Sequence, residues 1–380
     1  MKYYFDNAAT TFPKPLCLSE AMAKCVAEGA INAGRGSYDI AFHADQVISQ
    51  TRDAVRALLG QPSGQIVFAP SVTIALNQIL LGLSWMPGDY VYSTPFEHNA
   101  VARVLQHLQQ ERKVQWEMLS FDSKSLTFDL DKIKQQFFLH PPKVLVLSHA
   151  SNVFGAITPV EEIAKLAREN GATVVVDGAQ AGPLLPNWSP RSVDFYAFSG
   201  HKTFYGPFGI AGFWTNGRVR LSPILFGGTG SHSDNLDMPR DYPVSMEVGS
   251  PNIIAIAGLK AACEWLSVTG PERILQHERD LLTQLLSGIS RMRGVRCWPA
   301  KTENAVGIAS FVVDGYTPQE VGMIFDQQFG MAVRTGLHCA PMAHRLLGTL
   351  PTGSVRVGLG WFNSSNEVDE LIMAIERLGE

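Results

Sequence analysis

Residues 172–202 constrain the chain most. They read ATVVVDGAQAGPLLPNWSPRSVDFYAFSGHK. An apolar run at 173–176 ends in an acid, Asp177. A second, at 194–198, ends in Ser199-Gly200-His201-Lys202. Runs this short and this rich in Val and Phe predict buried strands of an α/β protein. Such proteins bind ligands just beyond the carboxyl ends of parallel strands. An acid after one strand and a lysine after the next can then face one pocket. Each alone has an ordinary explanation: Asp177 as a turn residue, Lys202 as a surface cation. Gln180, three residues past the acid, and Ser199 and His201, flanking the lysine, strengthen the pair. Pyridoxal phosphate needs such a pair, because a lysine holds its aldehyde as a Schiff base and a carboxylate keeps its pyridine nitrogen protonated. A glycine-rich segment, 206–212, follows.

With 380 residues, two domains are expected. A hydrophobic content of 46% against 17% charged residues supports a large core without disorder. The net charge of −4 gives no reason to expect nucleic acid or an anionic membrane as a partner. No apolar run reaches the roughly 18 residues of a membrane span. Residues 1–15, MKYYFDNAATTFPKP, lack the apolar core of a signal peptide, so the expected compartment is the cytoplasm. The five cysteines are odd in number and form no C-x-x-C, which speaks against a disulfide framework or a zinc knuckle.

Along the chain, an irregular arm at 1–15 leads into helices predicted at 16–29 and 40–59. Between them, 32–37 is a Gly-rich loop that either faces solvent or brings Arg35 to an anionic ligand. From residue 66 short apolar runs alternate with helices. Strands are predicted at 66–68, 91–93, 114–118 and 143–147, and a return strand at 208–214. The helix predicted at 73–84 opens with Ser71-Val72-Thr73. That start is either an ordinary N-cap or a phosphate site, where free N–H groups and the helix dipole meet an anion. His98 opens the next helix just past a strand, as Asp177 lies just past its own. Residues 226–250 are rich in Gly, Ser, Asp and Pro. A loop this long is usually functional or at an interface. A helix from 251 bridges to a smaller α+β region, which places the domain boundary at 255/256.

Two reactive-looking groups sit in that C-terminal part. Cys339 follows a strand and precedes a helix, beside Arg334 and His338, a setting that favours a thiolate. The alternative is an inert buried cysteine. Arg356 lies inside an apolar strand and needs a partner for its charge. A substrate carboxylate and an internal ion pair serve equally well. The spacing of His338, Cys339 and His344 fits no zinc pattern.

Together these residues give a chain that resembles the class V aminotransferases, and within them the cysteine desulfurases and selenocysteine lyases. The resemblance is carried by FDNAAT near the start, GRGS at 34–37, FEHNAV at 96–101, SHASNVFG at 148–155, VVVDGAQA at 174–181, SGHK at 199–202, EVGSPN at 247–252, RTGLHCA at 334–340 and SVRVGLGWFN at 354–363. It implies a type I pyridoxal-phosphate fold, with a large, mainly parallel-sheet domain (1–255) and a smaller α+β domain (256–380), on which the arm would pack. It also implies a homodimer with its active site at the interface. In this resemblance Lys202 would form the Schiff base, Asp177 would pair with the pyridine nitrogen, and Gln180 would bond the ring's phenol oxygen. His98 would stack on the ring and move protons. Val72, Thr73, Ser199 and His201 would hold the phosphate, joined by Ser250 from the neighbouring subunit. Asn152 and Arg356 would bind the substrate carboxylate, with Arg35 and Arg334 as further candidates, and Cys339 would take up sulfur. The implied reaction turns L-cysteine into L-alanine and a persulfide that passes to an acceptor protein. L-Selenocysteine cleavage, another class V reaction and an inactive scaffold are the alternatives. The chain departs from the desulfurase pattern in Ser71-Val72-Thr73-Ile74, which replaces Gly-Thr-Thr-Glu, and in Leu337, which replaces a histidine. It also carries one residue more than many members between Lys202 and Gly206.

Overall fold

The computed structural model describes residues 1–30, 38–230, 234–299 and 301–379. After β1 (Tyr3–Tyr4) come α1 (Leu16–Ala27) and α2 (Asp39–Leu58). Strand and helix then alternate: β2 (Gln65–Ala69), α3 (Val72–Gly82), β3 (Tyr90–Ser93), α4 (Asn99–Arg112) and β4 (Gln115–Met118). A small hairpin, β5 (Phe121–Asp122) and β6 (Thr127–Phe128), precedes α5 (Leu130–Leu139), β7 (Pro142–Ser148), α6 (Val160–Glu169), β8 (Thr173–Asp177), β9 (Phe195–Ser199) and β10 (Ala211–Thr215).

These strands build one seven-stranded sheet in the order β2-β10-β9-β8-β7-β3-β4. The stretch from β9 to β4 is parallel, and β10 runs antiparallel to both its neighbours. The central strands lack polar alternation because both faces are covered. In β8, Val174 and Val176 enter one core and Val175 the other. In β9, Tyr196 and Phe198 face the first core, and Phe195 and Ala197 the second. The return strand predicted at 208–214 lies inside this sheet, between β2 and β9.

The second region contains α7 (Ile253–Thr269), α8 (Pro271–Ile289), β11 (Val295–Trp298), β12 (Ile308–Val313), α9 (Pro318–Ile324), β13 (Met331–Ala332), β14 (Arg334–Gly336), α10 (Pro341–Leu347), β15 (Ser354–Gly358) and α11 (Ser365–Gly379). Its sheet, β11-β12-β15-β14, is antiparallel and packs on α8 and α11 around a third core that includes Phe5 of the arm. The expected boundary at 255/256 falls inside α7, which packs on α1 and α2. Ala255, Ile256, Leu259 and Cys263 of α7 belong to the first core. The change of core occurs along α8, where Ile274 joins the first and Leu281 the third. Among the described residues no single helix is long and apolar enough to cross a membrane. Those of 226–250 form neither helix nor strand.

The arm packs on more than the small region. β1 pairs with β13 and Asp6 bridges to Gly358, but Thr10, Thr11 and Lys14 reach the opposite side, to the carbonyl of His201.

Candidate active site

The strands β3, β7, β8 and β9 are consecutive neighbours in the sheet and parallel, so their carboxyl ends lie side by side. The segments leaving them carry His98, Asn152, Asp177 with Gln180, and Ser199 with His201 and Lys202. Ligand sites of α/β sheets form at this edge.

Asp177 is 5% exposed, and its Oδ1 accepts from the Ala179 N–H at 2.9 Å. Burial pushes its pKa up; the Ala179 N–H and Lys202 oppose that. Burial lowers the Lys202 ammonium to about 8. Asp177 opposes the change, Arg356 and Arg334 add to it, and Cys339 opposes it. Charges from both sheets therefore converge on Lys202. Gln180 Nε2 donates to the carbonyl of Ala8 in the arm at 2.8 Å.

His98 caps α4, its Nδ1 accepting from the Ala100 N–H at 3.0 Å. A backbone N–H can only donate, so a neutral His98 carries its proton on Nε2. Burial first, then Lys202, Arg356, Arg334 and Arg103, hold its pKa at about 4, which keeps the ring neutral at pH 7.

At the start of α3, Ser71 caps the Ile74 N–H at 3.3 Å. The N–H groups of Val72 and Thr73 lie in the first turn, where no intrahelical acceptor exists. α3 packs on β9, and at the end of that strand and just past it Ser199 Oγ and His201 Nδ1 are buried with no partner among the described residues. The His201 ring stacks on Phe208 with centroids 4.3 Å apart. Burial, Lys202 and Lys14 keep its pKa at about 4. Buried polar atoms require partners. Two orphaned polar groups beside a helix start suit a phosphate, and a buried acid within electrostatic reach of a half-buried lysine suits a protonated pyridine ring and an aldehyde. The residues fit pyridoxal phosphate. Ser250 is exposed on the surface, and Arg35 lies outside the described residues.

The smaller region supplies the other wall. Cys339 is exposed, in the turn between β14 and α10. His338 and Cys339 both take left-handed backbone angles, φ 48° and 56°, a strained pairing for residues other than glycine. The turn is tied down twice: Asn152 Nδ2 donates to the His338 carbonyl and the Asn99 N–H to the Cys339 carbonyl, each at 2.7 Å. Thr73, His98, Arg103 and Cys339 line one cavity of about 390 Å³. His338, expected as a cation beside the thiol, is buried with Nε2 on Ser354 Oγ at 3.2 Å. Burial foremost, then Arg356, His344 and Arg334, push its pKa far down, so it is neutral and leaves Arg334 as the cation of that pair.

Arg356 is 2% exposed in the middle of β15. Its Nη1 donates to the Asn152 carbonyl at 3.0 Å and its Nη2 to Asp6 Oδ1 at 2.8 Å, while Nε is buried with no partner among the described residues. The ion pair is present, and the Nε–H, with the second N–H of each Nη, remains for a ligand. Asn152 places one amide N–H on the His338 carbonyl, and its Oδ1 has no partner among the described residues. Reasoning from the sequence missed Asp6, Ala8 and Asn99. For the first two the signal available was the arm motif FDNAAT, small and polar where a folded start would be apolar.

The profile of the family Aminotransferase class-V matches residues 3–371. A probable cysteine desulfurase of Methanothermobacter thermautotrophicus is 30% identical over 99% of this chain and 94% of its own. One of Pseudomonas aeruginosa is 33% identical over 98% and 93%. Among solved structures, a cysteine desulfurase of Thermococcus onnurineus NA1 superposes with a TM-score of 0.92 at 30% identity, covering 99% of this chain and 94% of that one. A cysteine desulfurase of Escherichia coli gives 0.87 at 27% identity, covering 98% and 94%. With both sheets and every strand end of the site inside the profile match, the chain belongs to the class V aminotransferase family, pyridoxal 5′-phosphate enzymes of the type I fold.

Proposed function

We propose that the chain is a cysteine desulfurase, which converts L-cysteine to L-alanine and leaves a persulfide on Cys339. One observation carries this reading. Cys339 is an exposed thiol on a tied-down turn, at the cavity lined by His98 and within electrostatic reach of Lys202. Simple transamination has no use for a thiol there. The names of the full-length relatives support the same reaction.

Bound pyridoxal phosphate supplies an electron sink that acidifies the α-proton of the substrate and weakens its Cβ–S bond. Lys202 Nζ would bond its aldehyde, Asp177 would face its pyridine nitrogen and Gln180 its phenol oxygen. The Val72 N–H, Thr73, Ser199 and His201 would hold its phosphate. Arg356, through its unpaired Nε–H, would grip the substrate carboxylate, with Asn152 and Arg334 beside it. Released as a neutral amine, Lys202 takes the α-proton. His98, neutral with its proton on Nε2, would donate it toward the reacting substrate. Cys339 Sγ, as thiolate, attacks the substrate sulfur. An S–S bond forms, the Cβ–S bond breaks, and its electron pair ends in a C–H bond at Cβ once a proton arrives. One thiol and one cysteine give one persulfide and one alanine, so atoms and electrons balance.

The active form is proposed to be a homodimer that hands its sulfur to an acceptor protein in the cytoplasm. The exposed side chains of Phe208 and Phe226, and the surface position of Ser250, suit a subunit interface at which Ser250 meets the partner's phosphate. All five cysteines are free, as a reducing compartment allows.

The test is a single turnover with L-cysteine, and with L-selenocysteine alongside. Alanine should appear in step with a persulfide on the Cys339 peptide, detected by mass spectrometry. Cys339→Ala should abolish both while keeping the visible spectrum of the cofactor. Wild-type alanine release by that variant would refute the role of Cys339, and pyruvate and ammonia in place of alanine would favour a β-lyase.

A further inference from the structure

Arg356 does not stand free in its strand. Its guanidinium is held on two sides by protein acceptors, the Asn152 carbonyl on Nη1 and Asp6 Oδ1 on Nη2, while the buried Nε–H has none among the described residues. Five N–H bonds in one plane make guanidinium orientation decisive for gripping a carboxylate. Asp6 is itself a fixed post. Its backbone bridges to Gly358 two residues beyond Arg356, and Tyr4 Oη donates to its carbonyl at 3.2 Å and to that of Thr10 at 2.9 Å. Further along the same arm, the Ala8 carbonyl accepts from Gln180 at 2.8 Å and Lys14 Nζ donates to the His201 carbonyl at 2.7 Å. The arm thus connects the small sheet to both the Gln180 and the Lys202 segments of the large one.

We infer that Asp6 is a positioning residue for substrate recognition: its carboxylate aims and counterbalances the Arg356 guanidinium so that the Nε side presents itself to the α-carboxylate of an amino acid. The inference rests on the proposed reading of Arg356 as the carboxylate grip. Removing Asp6 leaves an arginine that is buried, free to turn about its last torsions, and short of its counter-charge. A ligand with a carboxylate then pays for re-aiming it, whereas one without a carboxylate is indifferent.

The measurement is equilibrium binding to the cofactor-loaded protein by titration calorimetry, with L-alanine as the carboxylate ligand and ethylamine as the amine lacking it. Asp6→Ala should weaken L-alanine about tenfold or more, the scale of a lost hydrogen bond to a charged group, and leave ethylamine unchanged. Asp6→Asn, whose amide oxygen can still accept from Nη2, should recover most of the loss, which a merely destabilised arm would not do. In turnover the same split appears as a raised KM with kcat nearly constant. If Asp6→Ala fails to load cofactor, Asp6→Ser, too short to reach Nη2, repeats the comparison. Unchanged L-alanine binding in Asp6→Ala or Asp6→Ser, with binding lost in Arg356→Ala, would overturn the inference and spare the Arg356 reading. Unchanged binding in Arg356→Ala would overturn both.

Discussion

Capture of pyridoxal phosphate by the cofactor-free chain should switch on as pH rises through about 8. The nucleophile is the neutral amine of Lys202, and burial lowers its ammonium from 10.5 to about 8, with Arg356 and Arg334 adding to the shift and Asp177 and Cys339 opposing it. At pH 7 a pKa near 8 leaves roughly a tenth of the amine neutral, against about 0.03% for an ordinary lysine, a gain of about 300-fold in reactive species. The sign for variants follows. Asp177 favours the ammonium, so Asp177→Asn should move the midpoint below 8. Arg356 disfavours it, so Arg356→Met should move the midpoint upward. The assay is stopped-flow absorbance after mixing the cofactor-free chain with pyridoxal phosphate across pH 6 to pH 10. The midpoint is read from the rate profile, so changes in final occupancy do not enter. A rate that climbs through pH 10 without levelling would refute the reasoning, because it would show Lys202 titrating as a solvated lysine. An upward shift in Asp177→Asn would refute the assigned role of Asp177.

Gly178 follows Asp177, and a Cβ there would run into the Tyr196 ring. That ring is stacked on Trp188 at 4.6 Å and bonded to His149 at 2.8 Å, so it has little room to yield. Gly178→Ala should cost about 1–3 kcal/mol in urea unfolding, and a loss under about 0.5 kcal/mol, the range of a bland surface change, would show that the site relaxes freely. Sedimentation at micromolar concentration should give a dimer, and Phe226→Glu, at a side chain 74% exposed, should weaken it and its hold on the cofactor. A fully active wild-type monomer would contradict the shared site.

The large-domain half of the site was legible because its chemistry is local. Asp177, Gln180, Ser199, His201 and Lys202 each lie within a few residues of a strand end, and the strands announce themselves as apolar runs because both faces of the sheet are covered. α5 and the β5–β6 hairpin were not legible. α5 buries only Ile133 and Phe137, too thin a stripe for a periodic signal. His338 was misjudged as a cation because the sequence shows its neighbour in the chain, Cys339, and not the packing that removes it from water.

Residue order by itself determined the parallel sheet, the identity of the groups at its edge and the thiol in the following region. A short apolar run can bury itself in only a few ways, and the residue ending it must sit at the rim. Contacts across long stretches of chain lie beyond that logic. Asp6 and Arg356 are 350 residues apart, and Gln180 and Ala8 172. Only the closing of the arm over both sheets decided that they meet. Packing likewise decided which imidazoles stay neutral and that the Arg356 Nε–H has no acceptor among the described residues, because burial and pairing are properties of the packed chain and no single segment carries them.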